Sequence, residues 1–334
     1  MNGIDLYRFQ FDYDQTWAVM FFRHDGTILA RYGTRGERDG MKYNSVAGFT
    51  STIRTVLEVD RNWQPNQQEE YAAKLGPKAE YEVPDKIPSA TITKILNQEK
   101  EGIKSCIHCH NVYDAQREMA ISQKSYDPAK RFKYPLPQNI GLSIDVVTGT
   151  KINNVLPGSA AEAAGLKSGQ RIVRMNGQPI HSSADIQFVL HHAGENAEID
   201  MEVKDVADVM ATAIVSLQPG WRKGDISWRA SMYGMPPKPG LWVEATEEAK
   251  KRKLGIASDK LALTVRGVFG SDVRKAGLKK NDVIVQFGDE TNHHAPGEFH
   301  AHLRLNYFQP NAKLALRLMR DNKPIAKTVT FINQ

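Results

Sequence analysis

The chain of 334 residues is long enough for two or three domains, and its 41% hydrophobic and 25% charged residues are typical of a globular protein. Its net charge of +6 is spread along the chain, and acidic residues interrupt most basic stretches, which argues against a nucleic-acid partner. No apolar run reaches the length of about 18 residues that a transmembrane helix needs, so we expect no membrane span.

The first 62 residues predict a β-hairpin followed by a helix. Apolar runs at 16–22 and 27–32 flank Asp25-Gly26, a dipeptide that favours a tight turn because both positions tolerate positive φ. A helix is predicted over 44–59 with Ser45 as its N-cap. This order resembles the C-terminal half of a thioredoxin fold, although the segment has no Cys-x-x-Cys of its own. We therefore expect the chain to begin inside a domain, with no signal peptide visible at its start.

The only two cysteines of the chain, Cys106 and Cys109, lie three positions apart, and His110 follows directly. A helix predicted from residue 89 leads into this motif, and a second helix is predicted over 111–123. Cys-x-x-Cys-His is the attachment motif of c-type cytochromes, in which two thioethers hold the porphyrin and the histidine binds the iron. We therefore predict haem c at Cys106, Cys109 and His110.

Two alternatives remain for the same motif. A dithiol at a helix N-terminus could act as a thiol–disulfide oxidoreductase, with Cys106 attacking and Cys109 resolving the mixed disulfide. A metal such as zinc could instead bind the two cysteines with His108 or His110, although the second cysteine pair of a zinc ribbon is missing. The motif could also carry no cofactor.

A haem at His110 would need a second axial ligand from elsewhere in the chain. Met119 follows too closely on the same helix, about 14 Å along its axis, to reach the far face. The candidates are Met232, Met235, His293, His294, His300 and His302. The four histidines are also candidates for a metal site, although a polar loop and helix start would explain them without one.

Residues 150–177 carry a compact pattern of strand, short helix and strand. A turn at Pro157-Gly158 precedes an alanine-rich helix that ends at Gly165, and Asn176-Gly177 forms a tight turn after the next strand. The pattern resembles the PDZ domains attached to bacterial high-temperature-requirement proteases, over about 138–218. Residues 261–288 repeat the plan, with a charged helix inserted at 247–254, and predict a second PDZ-like module.

The PDZ resemblance implies a peptide-binding groove, where a peptide C-terminus adds a strand to an exposed sheet edge and loop amides bind its carboxylate. In the first module the predicted contacts come from the loop, the edge strand and the pocket helix: Asn139, Ile140, Gly141, Leu142, Ser143, Ile144, Ile186, Val189 and Leu190. The alternative is a groove closed by packing within the chain. We expect a closed groove in the second module, because Pro237 and Pro239 remove amide donors and the inserted helix blocks the edge.

The sequence therefore predicts an α+β multidomain chain. Its segments are a partial thioredoxin-like domain at 1–62, a helical linker with the cysteine motif at 63–137, and PDZ-type modules at 138–220 and 221–334. This order resembles bacterial thioredoxin/PDZ proteins, which implies an extracytoplasmic redox-associated adaptor. We predict an adaptor that carries haem c and binds a protein C-terminus or internal peptide. The alternative functions are a thiol–disulfide oxidoreductase that uses Cys106 and Cys109, and a protein-interaction scaffold with a structural metal. No Ser–His–Asp nucleophile motif is visible in the sequence, which predicts against a hydrolase.

Overall fold

A computed structural model describes residues 1–332, and the chain divides into two compact units, residues 1–226 and 227–334. None of the helices within the described range combines the length and the apolar character that crossing a bilayer demands. The first unit contains the hairpin, the cysteine motif and the first module. The second unit contains the second module.

The first unit begins with a hairpin and a group of helices. Its elements are β1 (Val19–Phe22), β2 (Ile28–Tyr32), α1 (Val46–Arg61), α2 (Gln67–Ala72), α3 (Ala90–Lys100) and α4 (Cys109–Ser122). The predicted hairpin and first helix are confirmed, and the Ser45 hydroxyl caps α1 by accepting a hydrogen bond from the Gly48 amide at 2.9 Å. Among the described residues β1 and β2 pair only with each other, so the central sheet of a thioredoxin fold is not shown.

The first module follows the helices. Its elements are β3 (Leu142–Ile144), β4 (Ile152–Val155), α5 (Ala160–Ala163), β5 (Arg171–Met175), β6 (Gln178–Pro179), α6 (Ser183–His192), β7 (Glu198–Lys204) and β8 (Met210–Ser216). Strands β3 and β4 form one antiparallel pair, and the other four form a sheet in the order β6-β5-β7-β8. Alternating burial along β7 shows that one face of this sheet covers the module core.

The second module repeats this order of elements, except that a helix is inserted after its first strand and its described strands include no counterpart of β6. It contains β9 (Leu241–Ala245), α7 (Glu248–Lys253), β10 (Leu263–Val268), α8 (Ser271–Lys275), β11 (Val283–Phe287), α9 (Pro296–Asn306), β12 (Ala312–Arg320) and β13 (Lys323–Phe331). The five strands form one antiparallel sheet with β9 and β13 at its edges. The inserted helix predicted between the first two strands is confirmed as α7. The duplication therefore extends to the whole module.

Candidate functional site

The loop that leads into β3 is shaped by Asn139 and Gly141. The Asn139 side-chain amide donates to the Trp221 and Lys223 carbonyls, both at 2.9 Å, so it braces the loop against the end of the module. Gly141 has a φ of 91°, and its carbonyl accepts a hydrogen bond from the Leu156 amide at 2.8 Å. A side chain at this position would collide with Ser159, which is why the loop requires glycine here.

Strand β3 has one edge that pairs with no other described strand. Within the described range it pairs with β4 and with no strand on its other edge. Leu142 and Ile144 point into the module core, where they lie 0% and 8% exposed, whereas Ser143 between them is half-buried. An extended peptide added to β3 would therefore bind through backbone hydrogen bonds and meet the alternate side chain.

The predicted residues of the pocket helix are part of the same core. Ile186, Val189 and Leu190 on α6 join Leu142 and Ile144 in one cluster with the strands of the module. The structure thus brings the predicted residues together, and it places the apolar ones under the groove as its floor. Whether a peptide contacts them stays a prediction.

The contacts that polar residues make on the other faces of α6 were not predicted from the sequence. Gln187 is buried to 1% exposure, and its side-chain amide donates to the Tyr134 carbonyl at 2.8 Å. The Tyr134 ring stacks on His191 with 4.1 Å between the ring centroids. Polar residues four positions apart on a helix with an apolar face were the available signal, since side chains at i and i+4 lie on one side of a helix.

The second module has the same construction. Gly240 has a φ of 59°, and its carbonyl accepts from the Phe269 amide at 2.6 Å. On α9, Arg304 donates to the Met232 carbonyl at 2.8 Å, and the Tyr233 ring meets His300 edge-on. In each module, the segment before the loop that leads into the edge strand is therefore hydrogen-bonded to the pocket helix, which is α6 in the first module and α9 in the second.

His300 gives the second unit a dependence on pH. Burial, together with the nearby Arg304 guanidinium that donates to its Nδ1, lowers the pKa of His300 to about 3. The unfolded chain binds this proton near pH 6.5, so the free energy of unfolding falls as the pH drops from 6.5 toward 3. Between pH 7 and 4.5 we expect His300 to account for a loss of about 2–3 kcal/mol.

Urea titrations of the chain and of its His300→Gln variant measure this contribution, because glutamine accepts the Arg304 hydrogen bond without titrating. The wild type should lose more stability than the variant over this pH range. Equal losses in both proteins would contradict the assignment to His300.

The cysteine motif lies at the start of α4. Cys109 is the first residue of the helix, and the Asn111 side chain accepts from the His108 amide at 2.9 Å. Ile107 is buried, and its carbonyl accepts from the amino group of Met1 at 2.7 Å. The motif is thus fixed in place by the N-terminus of the chain and by the helix start.

This environment does not fit a porphyrin. Cys106 and His108 are exposed, and Cys109 and His110 are half-buried, so the motif lies at the surface and not in an apolar box. Haem c or zinc at this motif stays a prediction that no comparison tests. In the part of the chain that the structure describes, no group of three or more His, Cys, Asp or Glu side chains is arranged to hold a metal ion.

The candidate axial ligands are buried, engaged in separate local contacts or exposed. Met232 and Met235 are buried in the second unit at 0% and 4% exposure. His300 is bonded to Arg304, and His294 lies 3.2 Å from Glu290, while His293 is exposed. His302 is half-buried against Phe287. The histidine cluster of the sequence is therefore divided among several local contacts.

Comparison with known proteins identifies the first module. Residues 151–205 match the PDZ domain family. The chain is 27% identical over 150 residues to the "Probable periplasmic serine endoprotease DegP-like" of Marinomonas sp., covering 45% of this chain and 30% of that protein. It is 26% identical over 186 residues to the periplasmic pH-dependent serine endoprotease DegQ of Escherichia coli, covering 55% and 36%. The chain thus spans about a third of the length of these curated relatives.

Solved structures give a weaker similarity. The HtrA-type protease AlgW with decapeptide aligns at a TM-score of 0.24 and 12% identity, covering 42% of this chain and 50% of that one. The same protease with tripeptide aligns at 0.22 and 15%, covering 40% and 50%. These TM-scores are too low to relate the structures as wholes.

These relatives correct the predicted function. The haem-carrying redox adaptor is wrong, because the relatives that match are named as periplasmic serine endoproteases. The thiol–disulfide oxidoreductase and the scaffold with a structural metal are not favoured either. The comparisons support the PDZ part of the resemblance and give no support to the thioredoxin-like or Cys-x-x-Cys-His parts.

Proposed function

We propose that this chain serves periplasmic proteolysis and that its first PDZ module recognises extended peptides with a free C-terminus. The relatives named as periplasmic serine endoproteases support this setting and an extracytoplasmic location in a bacterium. The alignments cover about a third of those proteases, and the proposal concerns recognition of the peptide.

The observation that carries the proposal is the arrangement of loop, edge strand and helix in the first module. The loop ends at Gly141 in a left-handed conformation, β3 has an unpaired edge within the described range, and α6 lies beside it. In PDZ domains the loop before the edge strand binds the peptide carboxylate, and an edge strand offers hydrogen bonds that do not depend on peptide sequence. Recognition of diverse unfolded C-termini suits a proteolytic system.

Gly141→Ala tests the loop. The added methyl group would collide with Ser159, and φ near 91° is strained for alanine, so the loop must move. We expect about a tenfold or larger loss of affinity for a fluorescein-labelled decapeptide ending in valine, which corresponds to at least about 1.4 kcal/mol.

Fluorescence anisotropy measures this affinity, and the same decapeptide with an amidated C-terminus reports on the carboxylate. Gly194→Ala is the matched control, because a methyl group there meets no atom within 4 Å. Equal binding of the free and amidated peptides, or no binding at saturating protein, would contradict the proposed recognition.

A further inference from the structure

Helix α6 is buried around its whole circumference, which a PDZ module alone would not achieve. From Ala184 to Leu190 every residue is at most 8% exposed. Ile186, Val189 and Leu190 face the module core, whereas Phe188 lies outside that core cluster. The remaining faces must be covered by other parts of the chain.

The residues around β2 cover the face that carries Ala184 and Gln187. The space between them encloses only about 10 Å³, which is about the room needed for one water molecule. Its lining includes Ala18, Arg31, Tyr32 and Gly33 from the N-terminal region, and Ala184 and Gln187 from the helix. No peptide fits between the hairpin and this face of the helix.

Two close approaches place the N-terminal region beside the segments that flank β3. A side chain at Gly36 would overlap the Leu136 side chain, at the start of the loop before the strand. A side chain at Gly48 would overlap the Val146 carbonyl, just beyond the end of the strand. The segment from 33 to 48 therefore lies next to α6, to the start of the loop and to the residues that follow β3.

A buried ion cluster attaches the same region to the remaining side of α6. The Asp185 carboxylate, 0% exposed, lies 2.8 Å from the Lys74 ammonium and 3.9 Å from the Arg31 guanidinium. The Arg31 guanidinium also stacks over the Phe188 ring at 3.6 Å from its centroid. The Ser182 hydroxyl donates to the Arg31 carbonyl.

We propose that the N-terminal region, residues 1–76, is an intramolecular cover that holds the groove of the first module closed, so that a peptide binds only when this cover lifts. The inference rests on the proposed function, since it describes the regulation of that same site. An apparent dissociation constant is the intrinsic value divided by the open fraction, so a mostly closed chain binds weakly however well the groove fits its peptide.

A methyl group added at Gly48 tests the cover without replacing any residue of the groove. Alanine is compatible with this position in α1 and favours the helix, but its methyl group would lie 2.3 Å from the Val146 carbonyl oxygen and 2.8 Å from the Tyr32 hydroxyl, so α1 must shift away from the segment after β3. We expect Gly48→Ala to bind the free-carboxylate decapeptide about tenfold or more tightly than the wild type. Gly40→Ala is the matched control, because its methyl group would lie 3.9 Å from the nearest atom.

Hydrogen–deuterium exchange on the wild-type chain tests the same idea without a variant. Saturating decapeptide should speed exchange in β1 and β2 and slow it in β3. If peptide binds yet leaves the exchange of β1 and β2 unchanged, and Gly48→Ala binds no more tightly than Gly40→Ala, the cover is overturned and peptide recognition stands.

A different result would show that the cover exists but that the module does not recognise peptides. In that case Gly48→Ala would show faster exchange in β2 and α6 than Gly40→Ala, with β7 still protected, and it would nevertheless bind no peptide. Loss of protection in β7 would reveal a misfolded variant, and the wild-type exchange measurement would then decide.

Discussion

Asp185→Asn is expected to lower the free energy of unfolding of the first unit by roughly 3–5 kcal/mol, because it leaves buried cations without their carboxylate. Asp185 and Lys74 are both 0% exposed. Burial lowers the pKa of Lys74 to about 8, and the Asp185 carboxylate opposes this lowering by stabilising the charged ammonium. The backbone amides of Arg31 and His181 also donate to the Asp185 carboxylate and would each lose a charged acceptor.

Native-state hydrogen exchange of the β2 and α6 amides measures this loss, because the buried cluster joins these two elements. Asp208→Asn is the control, since its ion pairs with Arg171 and Lys204 are exposed and screened by solvent. The control should leave the exchange of β2 and α6 almost unchanged. A similar small effect for Asp185→Asn would show that the buried cluster does not hold the unit together.

Phe299→Ala is expected to cost the second unit about 3–5 kcal/mol, the usual range for truncating a fully buried phenylalanine. Phe299 is 0% exposed on α9 and meets the Phe287 ring edge-on at 5.0 Å. It corresponds to Ile186 of the first module, since both lie on the core face of the pocket helix. The substitution leaves a cavity under the helix that the surrounding strands cannot fill.

Exchange of the β12 amides reports on this unit. Phe269→Ala is the matched control, because it removes the same ring from a position that is 64% exposed. The control should change β12 exchange little. If the two variants were destabilised equally, the assignment of Phe299 to the core would be wrong.

Features encoded by neighbouring residues were predictable from the sequence. The Asp25-Gly26 turn, the Ser45 cap and the end of the short helix at Gly165 each depend on local backbone preferences, and the structure contains all three. The PDZ pattern was predictable for the same reason, since its turns and short helix are set by glycines at fixed positions.

Contacts between distant parts of the chain were not predictable. Arg31 and Asp185 are 154 positions apart, and a lysine such as Lys74 is ordinarily exposed, so nothing in the local pattern marks them as buried partners. The sequence left an open groove and a groove closed by packing within the chain as alternatives, because the segment that covers it lies far away in the sequence.

The cysteine motif shows that a local pattern can also mislead. Its spacing matches a haem attachment site, but a match of five residues was too short to predict the function. The structure shows a surface motif at the start of α4, tied to Met1 by the Ile107 carbonyl. A short motif needs its surroundings before it indicates a cofactor.

The most direct test of peptide recognition is photo-crosslinking of the full chain. A decapeptide ending in valine, with benzoylphenylalanine as its third residue from the end, would be bound at saturating concentration, irradiated and located by mass spectrometry. The proposed function predicts crosslinks within 139–144 and on α6, and their loss when the peptide is amidated. Crosslinks confined to the second module, or unaffected by amidation, would contradict it.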